Sequence, residues 1–176
     1  MNMIVAVDRN WGIGNKGKLL VQIKDDLKFF KKMTLNKTIV YGRETLKTFP
    51  NGQPLVDRVN IILSRNKDYK IEKAIVVHSE EELFSLLYHW SSEDIFFIGG
   101  QTIYEQFLSC SENVYVTKIN SIFDADKHFP NIDAIRGWKV VKVGKDAIEN
   151  NIEYQFYQYK NDNKSHPNNP GRKHIP

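Results

Sequence analysis

The sequence is nearly devoid of cysteine. Cys110 is the single cysteine among 176 residues, so no disulfide can form within the chain. A lone cysteine is typical of proteins from a reducing compartment, because disulfides belong mainly to secreted proteins. We therefore expect a cytoplasmic protein in which Cys110 is a packing residue.

Long hydrophobic runs are also missing. A membrane-spanning helix needs about eighteen or more consecutive apolar residues, and the sequence contains no such stretch. The short apolar run at the start meets Asp8 and Arg9 at once, which is unlike a signal peptide. With 41% hydrophobic and 12% aromatic residues, the chain can still bury a full core. We expect a soluble, intracellular protein without a membrane partner.

The excess of positive charge is small, at +4 for the whole chain. Residues 161–176 carry three basic residues and one acidic residue, and so supply +2 of that charge. The same segment holds three of the six prolines and a single aliphatic residue. We predict a flexible tail over 161–176 after one domain over 1–160. The domain lacks a basic stripe with interleaved aromatic residues, so nucleic acid is not an expected partner.

Several short enzyme signatures are absent. The sequence has no GxGxxG fingerprint, no GxxxxGK[ST] phosphate loop and no GxSxG motif. The usual dinucleotide fold, an NTPase and a serine hydrolase are therefore unsupported. No metal site is expected either, because the histidines are scattered without ligand spacing, at positions 78, 89, 128, 166 and 174.

Short β-branched runs alternate with amphipathic stretches over most of the chain. Such continuous apolar runs suit a parallel sheet that is covered on both faces, and buried strands are predicted at 4–7, 38–42, 59–63, 74–77 and 95–100. Helices are predicted near 24–34, 43–48, 80–88 and 101–108. Polar and apolar residues alternate later, as in antiparallel strands, at 114–119, 138–143 and 154–159. The pattern predicts an α/β protein with about eight strands and four helices.

Three glycines interrupt the segment between the first predicted strand and the first helix. Gly12, Gly14 and Gly17 lie within residues 10–20. Because glycine permits positive φ and close backbone approach, such a loop can fold over a ligand and move. An ordinary surface loop explains the glycines equally well, so both interpretations stay open.

A predicted strand also runs through Gly99 and Gly100 directly into a helix. This junction leaves free backbone N–H groups at a helix N-terminus, where the macrodipole favours an anion such as a pyrophosphate. Two glycines alone are a weak signal. The junction becomes more informative because the chain contains a second one like it.

That second junction begins at Gly42 and continues with Arg43 and Thr45. Guanidinium and hydroxyl donors in this position can bind a phosphate monoester, and Ser64 and Arg65 follow the next strand in the same way. Surface arginines are common, so each site alone is more typical of solvated structure. The similarity of the two junctions favours a ligand with several phosphates.

The first predicted helix carries a carboxylate among apolar residues. Helical spacing places one stripe along Ile23, Asp26, Leu27, Phe30 and Met33. Asp25 points elsewhere. An aspartate in a first turn often only complements the helix dipole, so a chemical role for Asp26 and this structural one are both open on periodicity alone.

Taken in order, several segments resemble the bacterial chromosomal-type dihydrofolate reductases. They are AVDRNWGIG, the helix with Asp26, Leu27 and Phe30, and then GRETL, RVNIILS, FIGGQTIYEQF, VYVTKI and DADKHFP. The resemblance implies a mainly parallel eight-stranded central sheet with four flanking helices and an antiparallel C-terminal strand. It also implies NADPH-dependent reduction of 7,8-dihydrofolate to 5,6,7,8-tetrahydrofolate, by hydride transfer to pterin C6. A monomer that binds diaminopyrimidine antifolates is the corresponding expectation.

The same resemblance assigns roles to individual residues. Asp26 would bind the pterin, Thr117 would support its carboxylate, and Leu19 would close on the nicotinamide. The folate pocket would be lined by Ile4, Val5, Ala6, Leu27, Phe30, Phe49, Leu55 and Ile98, and Arg58 would bind the substrate's α-carboxylate. NADPH would contact Ala6, Ile13, Gly14, Gly17, Lys18, Leu19, Gly42, Arg43, Glu44, Thr45, Leu63, Ser64, Arg65, His78, Ile98, Gly99, Gly100, Gln101, Thr102, Ile103 and Tyr104.

Three positions depart from the family pattern. Val21 stands where the family commonly has tryptophan, and Lys24 stands where a proline usually precedes the acidic pair. Glu44 lies beside Arg43, where a basic or neutral residue is usual. A negative charge there should weaken binding of the 2′-phosphate unless the side chain turns to solvent.

One alternative enzyme function remains open, that of a related pterin or flavin-precursor reductase on the same fold. Asp26 together with Arg58 favours folate, because the riboflavin precursor has no glutamate tail for an arginine to bind.

Overall fold

The structure is a computed structural model that describes residues 1–162. Within this range the strands are β1 (Asn2–Val7), β2 (Gly12–Asn15), β3 (Lys18–Leu19), β4 (Thr38–Gly42), β5 (Val59–Leu63), β6 (Ile75–Val77), β7 (Ile95–Phe97), β8 (Asn113–Ile119), β9 (Lys127–His128), β10 (Trp138–Val143), β11 (Ala147–Glu149) and β12 (Ile152–Asn161). The helices are α1 (Lys24–Thr34), α2 (Arg43–Leu46), α3 (Glu80–Leu87) and α4 (Gln101–Phe107). Of the predicted flexible tail, residues 163–176 lie outside the described range.

The central sheet has the strand order β10-β12-β8-β1-β7-β4-β5-β6, and β11 pairs with β12 as well. Every neighbouring pair from β8 to β6 is parallel. β12 runs antiparallel to both β8 and β10. The predicted fold class, a mainly parallel eight-stranded sheet with an antiparallel C-terminal strand, is therefore confirmed.

Helices cover both faces of the parallel part of the sheet. One apolar cluster joins Val40 and Ile61 to Leu83 of α3 and Phe107 of α4. The opposite cluster joins other residues of the same strands to α1 and α2. Strand residues such as Ile39, Val40, Ile61 and Ile62 are fully buried. This explains why the sequence shows continuous apolar runs instead of alternation.

The segment predicted as a glycine-rich loop contains two short strands. β2 pairs with β3 and with β9, and the three form a small second sheet beside the central one. A Cβ on Gly12 would lie 2.7 Å from the Cβ of Ala125, and one on Gly14 would lie 2.8 Å from the Lys18 carbonyl oxygen. These two glycines therefore permit close strand packing, whereas Gly17 has positive φ at the turn.

The base of this segment is held by the carboxylate of Asp8, which is buried. Its Oδ1 accepts the N–H groups of Asn10 at 2.9 Å and Gly12 at 2.7 Å, and its Oδ2 accepts that of Phe123 at 2.9 Å. A carboxylate with three backbone donors is well compensated for its burial. Asp8 thus joins residues 10–20, called the lid segment below, to the segment that leads into β9.

Cys110 is partly buried against the end of α4, where its thiol donates to the Phe107 carbonyl oxygen at 3.1 Å. Burial raises the pKa of the Cys110 thiol to about 11. The thiol is therefore protonated near neutral pH.

Within residues 1–162, no helix is both long and apolar enough to span a membrane.

Candidate active site

A cleft of about 1490 Å³ opens where the carboxyl ends of the parallel strands meet. Ala6, Gly42, Leu63 and Ile98 mark the ends of β1, β4, β5 and β7 on its wall. Helices that follow parallel strands leave a crevice at this edge, which is where open α/β sheets bind ligands. The lid segment 10–20 contributes a further side of the cleft.

The cleft brings together nearly all of the residues to which the sequence assigns a role. From the predicted folate set it is lined by Ile4, Val5, Ala6, Asp26, Leu27, Phe30, Phe49, Leu55, Arg58 and Ile98. From the predicted cofactor set it is lined by Ile13, Gly14, Gly17, Lys18, Leu19, Gly42, Arg43, Glu44, Thr45, Leu63, Ser64, Arg65, His78, Gly99, Gly100, Gln101, Thr102, Ile103 and Tyr104, in addition to Ala6 and Ile98. Thr117 lies behind Asp26, buried in β8.

Asp26 points from the first turn of α1 into the apolar part of the cleft. Its Oδ1 accepts the Thr117 hydroxyl at 2.6 Å. Burial raises the pKa of Asp26, and the hydrogen bond from Thr117 opposes this by favouring the ionised form. A partly desolvated carboxylate with one supporting donor is suited to a planar ligand that offers two N–H groups.

Asp25 occupies a different environment from its neighbour. It is exposed, and its carboxylate accepts Lys28 Nζ at 2.9 Å and the Tyr154 hydroxyl at 3.1 Å. The hydrogen bond from Lys28 is the main reason that the pKa of Asp25 is lowered. The adjacent aspartates thus have pKa values shifted in opposite directions.

Arg58 stands at the other end of the apolar pocket. Its guanidinium donates to the Val56 carbonyl oxygen at 2.6 Å, to Thr34 Oγ1 at 3.3 Å and to the Lys31 carbonyl oxygen at 3.4 Å. Two of these three oxygens, those of Thr34 and Lys31, belong to the last turn of α1. One helix therefore positions both charged groups of the pocket, Asp26 at its start and Arg58 near its end.

The glycine junctions meet in the centre of the cleft. The N–H of Gly42 donates to the Gly99 carbonyl oxygen at 2.8 Å, and the peptide bond between Gly99 and Gly100 is cis. Gly99 has φ of 118°, and a Cβ there would lie 3.3 Å from the Tyr104 hydroxyl. That hydroxyl donates to the Ile4 carbonyl oxygen at 2.8 Å. The resulting surface is bare backbone that a ligand can approach closely.

Positively charged groups surround the far end of the cleft. Arg43 follows β4, and Ser64 and Arg65 follow β5. Nδ1 of His78 lies 2.9 Å from the Ser64 carbonyl oxygen. Together these residues form a site suited to phosphate groups.

Glu44 is the exception in this positive region. Its carboxylate pairs with Lys47 at 2.5 Å and with Arg43 at 3.4 Å, and its side chain is 64% exposed. The hydrogen bond from Lys47 is the largest cause of its lowered pKa. Glu44 therefore faces the cleft while it is held by two cations, one of which is a predicted phosphate ligand.

The cleft wall also contains residues without a predicted role, among them Leu20, Gln22, Thr48, Pro50, Val56, Asn66, Ser79, Glu80, Gln106 and Ile119. Two further ones are cations. Lys31 follows Leu27 by one helical turn, so the spacing of α1 could have identified it. Lys127 reaches the cleft through the pairing of β2 with β9, which the sequence pattern did not reveal.

Comparison with known proteins agrees with this geometry. The family model for dihydrofolate reductase matches residues 1–161. The dihydrofolate reductase of Staphylococcus haemolyticus is 34% identical over 157 residues, which cover 89% of this chain and 92% of that protein. That of Bacillus subtilis is 32% identical over 167 residues, with coverage of 94% and 96%.

A solved structure gives the same result in three dimensions. The dihydrofolate reductase from Enterococcus faecalis, complexed with NADP(H) and RAB-propyl, superposes with a TM-score of 0.80 at 30% identity. The match covers 91% of this chain and 95% of that one. The sequence, the fold and the comparisons agree, and the chain belongs to the dihydrofolate reductase family.

Proposed function

We propose that Asp26, supported by Thr117, anchors the pterin ring in the NADPH-dependent reduction of dihydrofolate that this family member catalyses. The observation that carries the proposal is the 2.6 Å hydrogen bond from Thr117 to a carboxylate directed into an apolar pocket. The 2-amino group and the N3 side of a pterin can pair with such a carboxylate through two charge-assisted hydrogen bonds. This pairing would fix the orientation of the ring.

The proton for pterin N5 needs a different donor. A carboxylate that binds the 2-amino edge lies across the ring from N5, so it cannot deliver a proton there directly. A water molecule serves as the donor in our proposal, and Asp26 acts through the electronic structure of the bound ring. Ile4, Leu27 and Phe30 restrict access of bulk water to the ring.

The residues of the second half of the cleft fit NADPH. Bare backbone at Gly42, Gly99 and Gly100 would let a pyrophosphate approach closely, and a Cβ added at Gly99 would lie 3.3 Å from Tyr104. The cations and hydroxyls after β4 and β5 would hold the 2′-phosphate. NADPH supplies the hydride that pterin C6 receives. Leu19, 48% exposed on the lid, would close over this end of the site.

The remaining expectations about the protein are proposals as well. A monomer is proposed, since one chain supplies both halves of the cleft. Diaminopyrimidine antifolates would pair with Asp26 as the pterin does, and Val21, in place of the usual tryptophan, would reduce affinity for trimethoprim. A cytoplasmic location is proposed from the single cysteine. The domain is proposed to span 1–160; of the tail predicted over 161–176, Asn161 ends β12 and Asp162 pairs with Lys139, while residues 163–176 lie outside the described range.

The test is a steady-state assay of NADPH oxidation with dihydrofolate, using the wild type, Asp26→Asn and the matched control Asp25→Asn. Loss of the charge-assisted pair should lower kcat/KM of Asp26→Asn about a hundredfold. Asp25→Asn should stay within about twofold of wild type, because an amide still accepts from Tyr154. Full activity of Asp26→Asn near neutral pH would refute the assigned role.

A further inference from the structure

The first turn of α1, which carries Asp26, is completed by a residue far away in the sequence. Its N-cap residue, Ile23, has a hydrocarbon side chain that is buried and cannot accept a hydrogen bond. The first backbone N–H groups of a helix need acceptors from outside the helix. At α1 that acceptor is the carboxylate of Glu149.

Glu149 accepts two successive N–H groups of this turn. Oε1 accepts the N–H of Lys24 at 2.9 Å, and Oε2 accepts that of Asp25 at 3.3 Å. The contacts span 125 and 124 residues of sequence. A carboxylate at this place also interacts favourably with the positive end of the helix dipole. The next residue along the helix is Asp26.

Glu149 belongs to the same strand system as Thr117. It ends β11, which pairs with β12 through Glu149 and Ile152. β12 in turn pairs with β8 at Phe156 and Thr117. Asp26 is therefore connected to this part of the sheet twice, through its own carboxylate to Thr117 and through the helix start to Glu149.

Lys24 supplies one of the two backbone donors that Glu149 accepts. A proline at this first helical position would have no N–H to satisfy. Lysine adds a donor at the first helical position, and Glu149 accepts it. The backbone of Ile23, with φ of −109° and ψ of 120°, lies in the region that a residue before proline prefers. Proline at position 24 is thus compatible with the fold.

We propose that Glu149 is a positioning residue of the folate site, which caps α1 from the β11–β12 hairpin and so orients the carboxylate of Asp26. The inference rests on the pterin-binding role proposed above for Asp26. Because Glu149 contacts the helix backbone and not the cofactor half of the cleft, its removal should affect the two substrates unequally.

The first experiment compares Glu149→Ala with the matched control Asp146→Ala, an exposed carboxylate just before β11. Loss of a helix cap of this kind should raise the KM for dihydrofolate about fivefold, while the KM for NADPH stays within about twofold. Asp146→Ala should leave both values unchanged. Equal KM values in Glu149→Ala and the control, or an equal rise for both substrates, would overturn the proposal.

The second experiment uses Lys24→Pro to remove one of the donors. Glu149→Ala should raise the KM for dihydrofolate less in the Lys24→Pro background than in wild type, because one capped N–H is already gone. An undiminished effect in that background would show that Glu149 acts by another route.

The Asp26→Asn assay distinguishes failure of the pterin-binding role of Asp26 from failure of the positioning role of Glu149. If Asp26→Asn is fully active, the pterin role fails; if it is impaired while Glu149→Ala matches its control, only the present inference fails.

A conservative variant covers the case in which Glu149→Ala does not fold. Glu149→Gln retains one acceptor oxygen but loses the charge, so amide hydrogen exchange at Lys24 and Asp25 should be faster than in wild type. Thermal unfolding monitored by circular dichroism checks that the variant is folded. Unchanged exchange at both amides would contradict the cap.

Discussion

The two halves of the cleft are built from different parts of the polypeptide. The folate half consists of side chains on α1 and neighbouring strands, with Asp26 and Arg58 as its charged ends. The cofactor half has bare backbone at its centre, at Gly42, Gly99 and Gly100, with cations around it. A change of functional group should therefore damage the first half, whereas an added carbon atom should damage the second.

Replacement of Arg58 should weaken binding of the glutamate tail of the substrate without affecting binding of the pterin ring. If Arg58 binds the α-carboxylate, as the family resemblance implies, Arg58→Leu should remove charge-assisted hydrogen bonds and lower the affinity for dihydrofolate about thirtyfold. Activity on 7,8-dihydropterin, which has no glutamate, should be unaffected. Lys32→Leu, at an exposed position of α1, is the control. Equal losses on both substrates would mean that Arg58 serves the fold and not the tail.

A methyl group at Gly99 tests the backbone-built half. Gly99→Ala places a Cβ 3.3 Å from Tyr104 at a residue with φ of 118°, so the local backbone must shift. We expect the KM for NADPH to rise about tenfold, with a smaller change for dihydrofolate. Gly52→Ala has φ of 60° but lies in open space, and controls for the cost of positive φ. If the two variants behave alike in the assay, crowding at Tyr104 is unimportant.

Replacement of Glu44 should strengthen the binding of NADPH. Glu44→Gln removes a negative charge that pairs with Arg43, which should lower the KM for NADPH about threefold and leave that for NADH unchanged. The ratio of the two values measures the preference for the 2′-phosphate. Glu72→Gln, another exposed carboxylate, should leave the ratio as it is. A ratio unaffected by Glu44→Gln would show that its carboxylate does not oppose phosphate binding.

The smallest expected effect is the contribution of Asp26 to the pH dependence of the free energy of unfolding. Because burial raises the pKa of Asp26 above its usual 3.8, the folded state binds an extra proton between 3.8 and the raised value. Wild type therefore loses stability relative to Asp26→Asn as pH rises through that window, and the difference is constant above it. Urea unfolding of both proteins from acid to neutral pH measures it. A wild-type stability that rises relative to that of Asp26→Asn as pH rises through this window would contradict the sign.

The strands and turns around the cofactor half were predicted from local signals, whereas the phosphate-binding roles of its residues were implied by the family resemblance. Gly42 and Gly99 each lie between an apolar run and a helical pattern, so strand, turn and helix can be read from adjacent residues. The parallel part of the sheet was predicted correctly for the same reason. Its strands are buried on both faces and show up as continuous apolar runs.

The folate half was harder because its contacts are distant in sequence. Periodicity placed Asp26 on the apolar stripe, but only the fold brings Thr117 to 2.6 Å from it. The capping of α1 by Glu149 has no local signal at all. In the lid segment, Gly12 and Gly14 replace the alternating side chains that reveal a strand, so β2 was predicted as a loop.

The order of strands also has a consequence for synthesis on the ribosome. β1 emerges first, yet its sheet partners are β7 and β8. The proposed cofactor residues end at Tyr104, whereas the proposed folate site also includes Thr117 and, as a positioning residue, Glu149. A nascent chain can therefore gather its nucleotide-binding elements while the place for the pterin is still unfinished. That place is completed only when the β11–β12 hairpin has left the exit tunnel.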